Sequence, residues 1–183
     1  PLYDKYWNHL RDKPINMLEI GIGRGGSLRI WKEYFPNAQI IGADLDNQKL
    51  YEEDRIKTIY INQNDTESIK SLIPLGPFDI IIDDGGHLMN QQINSLLTLF
   101  DSIKPGGYYI IEDTGTSYWP CFGGNFPVTH ITTMEILKYL CDEVNKIFIG
   151  YANYGDSKNS RQIPSFLINN IKAMHFHQGV VAG

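Results

Sequence analysis

One stretch constrains this chain more than any other. Gly21, Gly23 and Gly26 form G-x-G-x-x-G directly after the apolar run Met17 to Ile20 and directly before a helical period that starts at Ser27. Glycines let a backbone turn tightly and approach a ligand closely, and a turn of this kind between strand and helix opens a parallel α/β unit. The rest of the chain keeps that rhythm of short apolar runs alternating with helical periods. Ser27 to Phe35 reads as a helix stopped by Pro36-Asn37, Gln39 to Ala43 as a strand ending at Asp44, and Thr58 to Ile61 as a third strand. Asp65 can cap a short helix running toward Leu72. Phe78 to Ile82 is a continuous apolar strand of the central kind. Ile93, Leu96, Leu97 and Phe100 then fall at helical spacing, predicting one face against the sheet. Lys104 to Gly107 reads as a turn and Tyr108 to Ile111 as a fifth strand. An irregular loop follows from Thr114 to Phe126, then a helix near Thr132 to Asn145 and short strand candidates around Ile147 and Phe176.

Composition narrows the function classes. With 183 residues, the chain is expected to be a single domain, 1–183. The net charge is −5 with acids and bases interleaved, which gives no clustered basic surface for nucleic acid. No apolar run approaches the ~18–20 residues of a membrane span, and no secretory signal is visible. Cys121 and Cys141 suit a reducing compartment, so a cytoplasmic location is expected. Because it opens on Pro1, the chain reads as a segment of something longer.

Asp44 stands about twenty residues after the glycine turn, where a carboxylate can accept hydrogen bonds from ribose hydroxyls. The fingerprint alone does not choose between a nicotinamide cofactor and S-adenosylmethionine. Glu19, inside the strand two residues before the turn, bears on that choice. A carboxylate there would repel a pyrophosphate but favour the ammonium of S-adenosylmethionine. The plainer alternative is a strand-end Glu bonded to backbone amides.

Asp83 and Asp84 end the fourth apolar run, and Glu112 and Asp113 end the fifth. In an open parallel sheet ligands bind outside the carboxyl ends of the strands, so these four acids are expected to converge. Carboxylates that close repel unless protonated or bridged by a cation. An oxygen-rich set without a Cys or His pair suggests a hard ion such as Mg²⁺, which could hold two neighbouring substrate hydroxyls and acidify one. His87, three residues past Asp84, could serve as general base. Helix caps and loop salt bridges are the alternative for the acids, and a structural role is the alternative for His87.

The segments L-E-I-G-I-G-R-G-G-S-L-R-I-W-K-E-Y-F-P, I-I-D-D-G-G-H and I-I-E-D-T-G-T-S-Y-W together resemble the sugar O-methyltransferases of macrolide antibiotic assembly, the mycinamicin and demethylmacrocin type. The similarity runs from about Tyr3 to Gly124, with a weaker echo from Ile171 to Val181. It implies a Rossmann-like class I methyltransferase fold, with a mostly parallel seven-stranded sheet and helices on both faces. It implies S-adenosylmethionine held by Glu19, Gly21, Gly23, Gly25, Ser27, Asp44, Gln63, Asn64 and Asp65, with Asp83 close to its amino acid end. It further implies Mg²⁺ on Asp84, Glu112 and Asp113, with His87 as base, a role that Asp84 takes in some members. Tyr118 and Trp119 would edge the sugar pocket, where an aromatic ring offers an apolar face with a polar handle; without the resemblance both could be buried loop anchors.

The pattern departs from that family at Gly86, commonly Ser, and near Gly115, commonly bulkier and polar, which touches substrate contacts more than metal binding. The family segment that closes over the cofactor lies upstream of Pro1. Metal-dependent catechol-type enzymes usually present Asp-Asn where this chain has Glu112-Asp113. The implied reaction is methyl transfer to a hydroxyl of a deoxysugar such as rhamnose, in a glycan or a glycosylated natural product. A homodimer or neighbouring glycosyltransferase domains are the protein partners to expect. The rival readings are an NAD-dependent sugar oxidoreductase or epimerase, which usually carries a Tyr-x-x-x-Lys pair, and a non-catalytic domain that binds cofactor or glycan.

Overall fold

The computed structural model describes residues 2–145 and 170–182. Among them, eight strands form one sheet in the order β3-β4-β2-β1-β5-β6-β8-β7. The strands are β1 (Asn16–Ile20), β2 (Gln39–Asp44), β3 (Glu52–Glu53), β4 (Ile56–Tyr60), β5 (Phe78–Asp83), β6 (Ile103–Ile111), β7 (His175–His177) and β8 (Val180–Ala182). The five inner strands, β4, β2, β1, β5 and β6, pair in parallel, whereas β3, β8 and β7 join antiparallel at the edges. The expected seven strands are therefore eight, because the two-residue β3 is too short to leave a periodic signal. The expected strand near Phe176 is β7, and the candidate at Ile147 lies outside the described residues.

Side chains alternate across the inner strands. Leu18, Ile20, Ile81, Tyr109 and Ile111 enter one core, and Met17, Ile80, Ile82 and Ile110 enter the other. The first core is covered by α3 (Thr66–Lys70), α4 (Met89–Leu99) and α5 (Thr133–Asn145), and the second by α1 (Leu2–Trp7) and α2 (Gly26–Tyr34). Both faces of β1, β2 and β5 are thus largely buried, which is why they read as apolar runs, whereas β4 buries only Ile56. Asp65 caps α3 as expected, accepting from the Glu67 amide.

Ile93, Leu96 and Phe100 pack against the first core as expected, whereas Leu97 is only partly buried. The fully buried residues of α4 are Met89, Gln91, Gln92, Ser95, Leu96 and Leu99, so polar side chains share its inner face, and Gln92 and Ser95 among them serve the site. The Lys104–Gly107 segment is a looped-out part of β6 rather than a turn before it. Ile103 pairs with Phe78, Tyr108 pairs with Ile80, and the extra residues between them bulge out.

Among the described residues no helix is long and apolar enough to cross a membrane. Chain order reverses between β1 and its neighbour β5, since the chain runs from β1 outward to β4 and returns to β5. Such a switch point leaves a crevice at the carboxyl ends of the two strands.

Candidate active site

The glycine turn and the loop after β5 meet in that crevice. Gly21 has φ +94°, and a Cβ there would lie 2.0 Å from the Asp84 carbonyl oxygen, so only glycine allows this approach. The two loops are also laced by the Asp84 amide, which donates to the Ile20 carbonyl at 2.9 Å. Gly23 has φ +55° and open space where a side chain would stand. Between the loops lies a cavity of about 260 Å³, lined among others by Gly21, Gly23, Asp44, Gln63, Asp84 and Gly86.

The acids on the β1–β2 side are held by protein donors. The Glu19 carboxylate accepts from the Ser27 hydroxyl and, at 2.6 Å, from the Trp31 indole N–H. Burial pushes it up to about 7, against those two hydrogen bonds, with Asp84 and Glu112 adding to the rise. Asp44 accepts from the Ile22 and Asp46 amides, both at 2.9 Å, and so braces the glycine turn from the end of β2.

Gln63 turns out to be a fastener of the β5 loop. Its amide donates to Asp83 at 2.9 Å and to Ser95 at 3.0 Å, and its carbonyl accepts from the Gly86 amide at 3.0 Å. Asp83 is 0% exposed, and its second oxygen has no hydrogen-bond partner; burial pushes it up to about 7. The neighbouring Asn64 and Asp65 are exposed, the first accepting from Asn90 and the second serving as the α3 cap.

Across the crevice Asp84, His87 and Asp113 converge, with ligand atoms all within 4.8 Å of one another. His87 Nε2 lies 3.5 Å from Asp113 Oδ2, and its buried Nδ1 has no partner. Burial, then the charges of Glu112 and Asp113, raise Asp84 to about 6. His87 and Asp113 both hold left-handed backbone, at φ +57° and +51°. The Thr116 hydroxyl ties them together, reaching the His87 carbonyl at 3.1 Å and the Asp113 carbonyl at 2.8 Å. Glu112, expected as a ligand with Asp84 and Asp113, lies outside this group of converging ligand atoms, and its carboxylate accepts from the Tyr3 hydroxyl. Its backbone is fixed by Gln92, which donates to the Glu112 carbonyl at 2.9 Å, and by the bond from its own amide to the Asp83 carbonyl at 2.9 Å. Two polar residues on the buried face of α4, Ser95 and Gln92, thus help to position Gln63 and Glu112.

Tyr118 and Trp119 are exposed rather than buried anchors, the latter 56% so. They belong to an aromatic rim that sequence reading left incomplete. Phe122 lies 6.4 Å from the His87 ring and 5.9 Å from Trp119, and Phe126, 80% exposed, lies 6.1 Å from Tyr118. Phe122 and Phe126 carried no signal because lone aromatics in a loop have no period. Tyr3 and Trp31 escaped for another reason, since their acid partners are distant in sequence or hidden inside a helix pattern. The Tyr-x-x-x-Lys spacing that the oxidoreductase alternative needs occurs at Tyr154 and Lys158, outside the described residues.

The donor set accords with a hard divalent ion. Asp84, crowded by its neighbours, is raised above the ordinary carboxylate range, and the buried His87 Nδ1 has no partner, both of which suit a site that takes a cation.

No family model matches the chain. It is 36% identical to the mycinamicin VI 2''-O-methyltransferase of Micromonospora griseorubida, over 98% of this chain and 46% of that protein. It is 33% identical to the 8-demethyl-8-alpha-L-rhamnosyl tetracenomycin-C 2'-O-methyltransferase of Streptomyces olivaceus, over 96% of this chain and 47% of that protein. The demethylmacrocin O-methyltransferase of Streptomyces fradiae is 40% identical over 79% of this chain and 39% of its own length. Among solved structures, MycE methyltransferase of the mycinamycin pathway, in complex with Mg, SAH and mycinamycin VI, superposes with a TM-score of 0.84 at 34% identity. The match covers 100% of this chain and 48% of that one. The chain spans about half the length of the curated relatives it matches, and its fold is the class I methyltransferase fold.

Proposed function

Since the chain is a relative of the antibiotic-sugar O-methyltransferases over nearly its whole length, we propose that it methylates a sugar hydroxyl with S-adenosylmethionine and Mg²⁺. The observation that carries this reading is the meeting of the glycine turn with the Asp84–His87–Asp113 cluster across one crevice. Two relatives are named for acting on rhamnosyl groups of tetracenomycin, which supports a deoxysugar such as rhamnose as acceptor, in a glycan or a glycosylated natural product.

S-adenosylmethionine supplies an electrophilic methyl group. Gly23 leaves room for it, Asp44 stands where ribose hydroxyls are read, and Glu19 carries the charge that its ammonium would stabilise. Gly21, Gly25 and Ser27 shape the turn beneath. Asp83 lies on the side of the amino acid end, held by Gln63, while Asn64 and Asp65 frame the same loop.

Mg²⁺ on Asp84, Glu112 and Asp113 would supply the charge that orients neighbouring hydroxyls and acidifies one. His87 takes the hydroxyl proton at Nε2, and Asp113 Oδ2, 3.5 Å away, stabilises the resulting imidazolium. Asp84 is the alternative acceptor. Tyr118 and Trp119 offer the sugar their apolar faces at the rim. Thr116 fixes the two strained residues so that their geometry is set before substrate arrives.

Cys121 and Cys141 form no disulfide with one another, which accords with a cytoplasmic reaction. The sugar acceptor is the partner proposed, with a homodimer or an adjoining glycosyltransferase domain as a further one.

The test uses labelled S-adenosylmethionine, Mg²⁺ and rhamnosylated acceptors. Asp84→Ala and Glu112→Ala should abolish transfer, and His87→Ala should lower it by ~10²–10⁴. Calorimetry should still detect S-adenosylhomocysteine binding in all three variants. EDTA should silence the parent protein, and transfer that survives EDTA refutes the metal part.

A further inference from the structure

We propose that the Tyr3 hydroxyl is a positioning group for Glu112, and through it for a divalent cation at the Asp84–Glu112–Asp113 site. The inference rests on the metal reading above and adds a residue from α1, the element farthest in sequence from Glu112 among those packed around the site.

The hydroxyl of Tyr3 donates to Glu112 Oε1 across 109 residues of chain. Its ring has little freedom to do anything else. It stacks on Trp7 with centroids 4.5 Å apart and planes 12° apart, and it meets Trp31 edge-on at 5.3 Å. Trp7 is buried and itself packs on Trp31 at 5.5 Å and on Phe35 at 6.1 Å. The ring is therefore anchored in the core beneath α1 and α2, and its polar tip points out at the acid.

Glu112 needs such a partner more than its neighbours do. Asp84 and Asp113 have short side chains and already face one another with His87. Glu112 carries an extra methylene, so more rotamer freedom must be lost to fix it. The Tyr3 bond fixes it through one oxygen, Oε1, and leaves the other oxygen for a ligand. Carboxylate ligands are commonly held this way by outer partners, whose loss costs about 10–100-fold in metal affinity. The same aromatic group serves the cofactor side, because Trp31 donates to Glu19 at 2.6 Å. One cluster thus fixes an acid at the end of β1 and an acid after β6, the two strands that flank β5.

The experiment is a Mn²⁺ titration of the full chain followed by electron paramagnetic resonance, without cofactor or acceptor. Tyr3→Phe should weaken Mn²⁺ binding by about 10-fold or more. Tyr6→Phe is the control, since it removes a hydroxyl from the same helix, one bonded to His177 at 3.0 Å, and should leave the affinity unchanged. In a Glu112→Gln background, Tyr3→Phe should add no further loss. With acceptor and cofactor present, Tyr3→Phe should raise the apparent KM for Mg²⁺ while kcat at saturating Mg²⁺ stays near the parent value. Unchanged or tighter Mn²⁺ binding by Tyr3→Phe overturns the proposal, as does an equal loss in Tyr6→Phe or an undiminished loss in the Glu112→Gln background. If the parent protein binds no divalent ion, the metal reading falls and this proposal with it. If the parent binds Mn²⁺ and Tyr3→Phe matches it, only this proposal falls.

Discussion

On the β1–β2 side of the crevice each carboxylate has donors from the protein itself: Ser27 and Trp31 serve Glu19, and the Ile22 and Asp46 amides serve Asp44. On the β5–β6 side Asp84, His87 and Asp113 face one another, an imidazole nitrogen goes without a partner, and two residues hold left-handed backbone. Preorganisation explains the difference. The first side is a finished cradle whose donors fix its shape. The second also has donors behind it, Gln63 at Asp83 and Tyr3 at Glu112, but its facing carboxylates, Asp84 and Asp113, are crowded in a way that a cation would relieve. The two sides are joined along the paired β1 and β5 and come tightest where the Gly21 backbone meets the Asp84 carbonyl.

That place offers the strongest way to break the comparison. Gly21→Ala would put a methyl 2.0 Å from a backbone oxygen at φ +94°, and neither atom can yield as a flexible side chain could. A loss of more than about 2 kcal/mol in unfolding free energy is expected, together with loss of both cofactor and cation binding. Gly23→Ala has open space around the new methyl and should cost only about 1 kcal/mol. It should nevertheless weaken S-adenosylhomocysteine binding, because the methyl stands at the cavity wall. Denaturant melts and calorimetry on the pair would separate fold from site, and equal melts for the two variants would show that the sides are not joined at Gly21.

A pH series sharpens the comparison further. An acid raised by folding holds its proton more tightly in the native state. Its stabilising contribution is full below its unfolded value and fades as pH rises through the folded one. Glu19 goes from 4.5 to about 7, Asp83 from 3.8 to about 7 and Asp84 from 3.8 to about 6. Without a divalent ion, these three should therefore lower the melting temperature as pH rises from about 3.8 to about 7. Mg²⁺ should flatten the part due to Asp84 and leave the part due to Glu19. A series that Mg²⁺ does not change would contradict the division between the two sides.

The smallest effect is expected at Asp65, whose carboxylate caps the exposed start of α3. Asp65→Ala should cost about 0.5–1 kcal/mol of stability. Cofactor affinity measured by calorimetry would then show whether this residue belongs to the cradle or only to the helix below it.

Much of this was legible beforehand where a local rule applied. Strands β1, β2 and β5 announced themselves because both their faces are largely buried, and the glycine turn because its backbone requires glycine. Asp84 and Asp113 came together, with His87 beside them, because strand ends in an open sheet converge; of the other two acids expected there, Asp83 is buried against Gln63 and Glu112 is bonded by Tyr3. The illegible parts obeyed no local rule. Gln92 and Ser95 sit on the buried face of α4 for the sake of hydrogen bonds, so an apolar period that found Ile93, Leu96 and Phe100 could not find them. The resemblance implied Gln63 as a cofactor residue; it lines the cavity, but its amide also fastens Asp83, Ser95 and Gly86, which no spacing announces. The bond from Tyr3 to Glu112 spans the sheet and leaves no trace in the spacing of either segment.

The left-handed backbone at His87 and Asp113 has a consequence for how this chain can drift. Glycine is the residue such φ values favour, and a non-glycine residue there raises the free energy of the fold by about 1 kcal/mol. Stability and function therefore pull in opposite directions at these two positions. A substitution of His87 by glycine would ease the fold while removing the proposed base, so a stability screen would accept it and an activity screen would reject it. Retention of His87 and Asp113 among sequences that drift freely elsewhere would be a signature of selection for the reaction rather than for the fold.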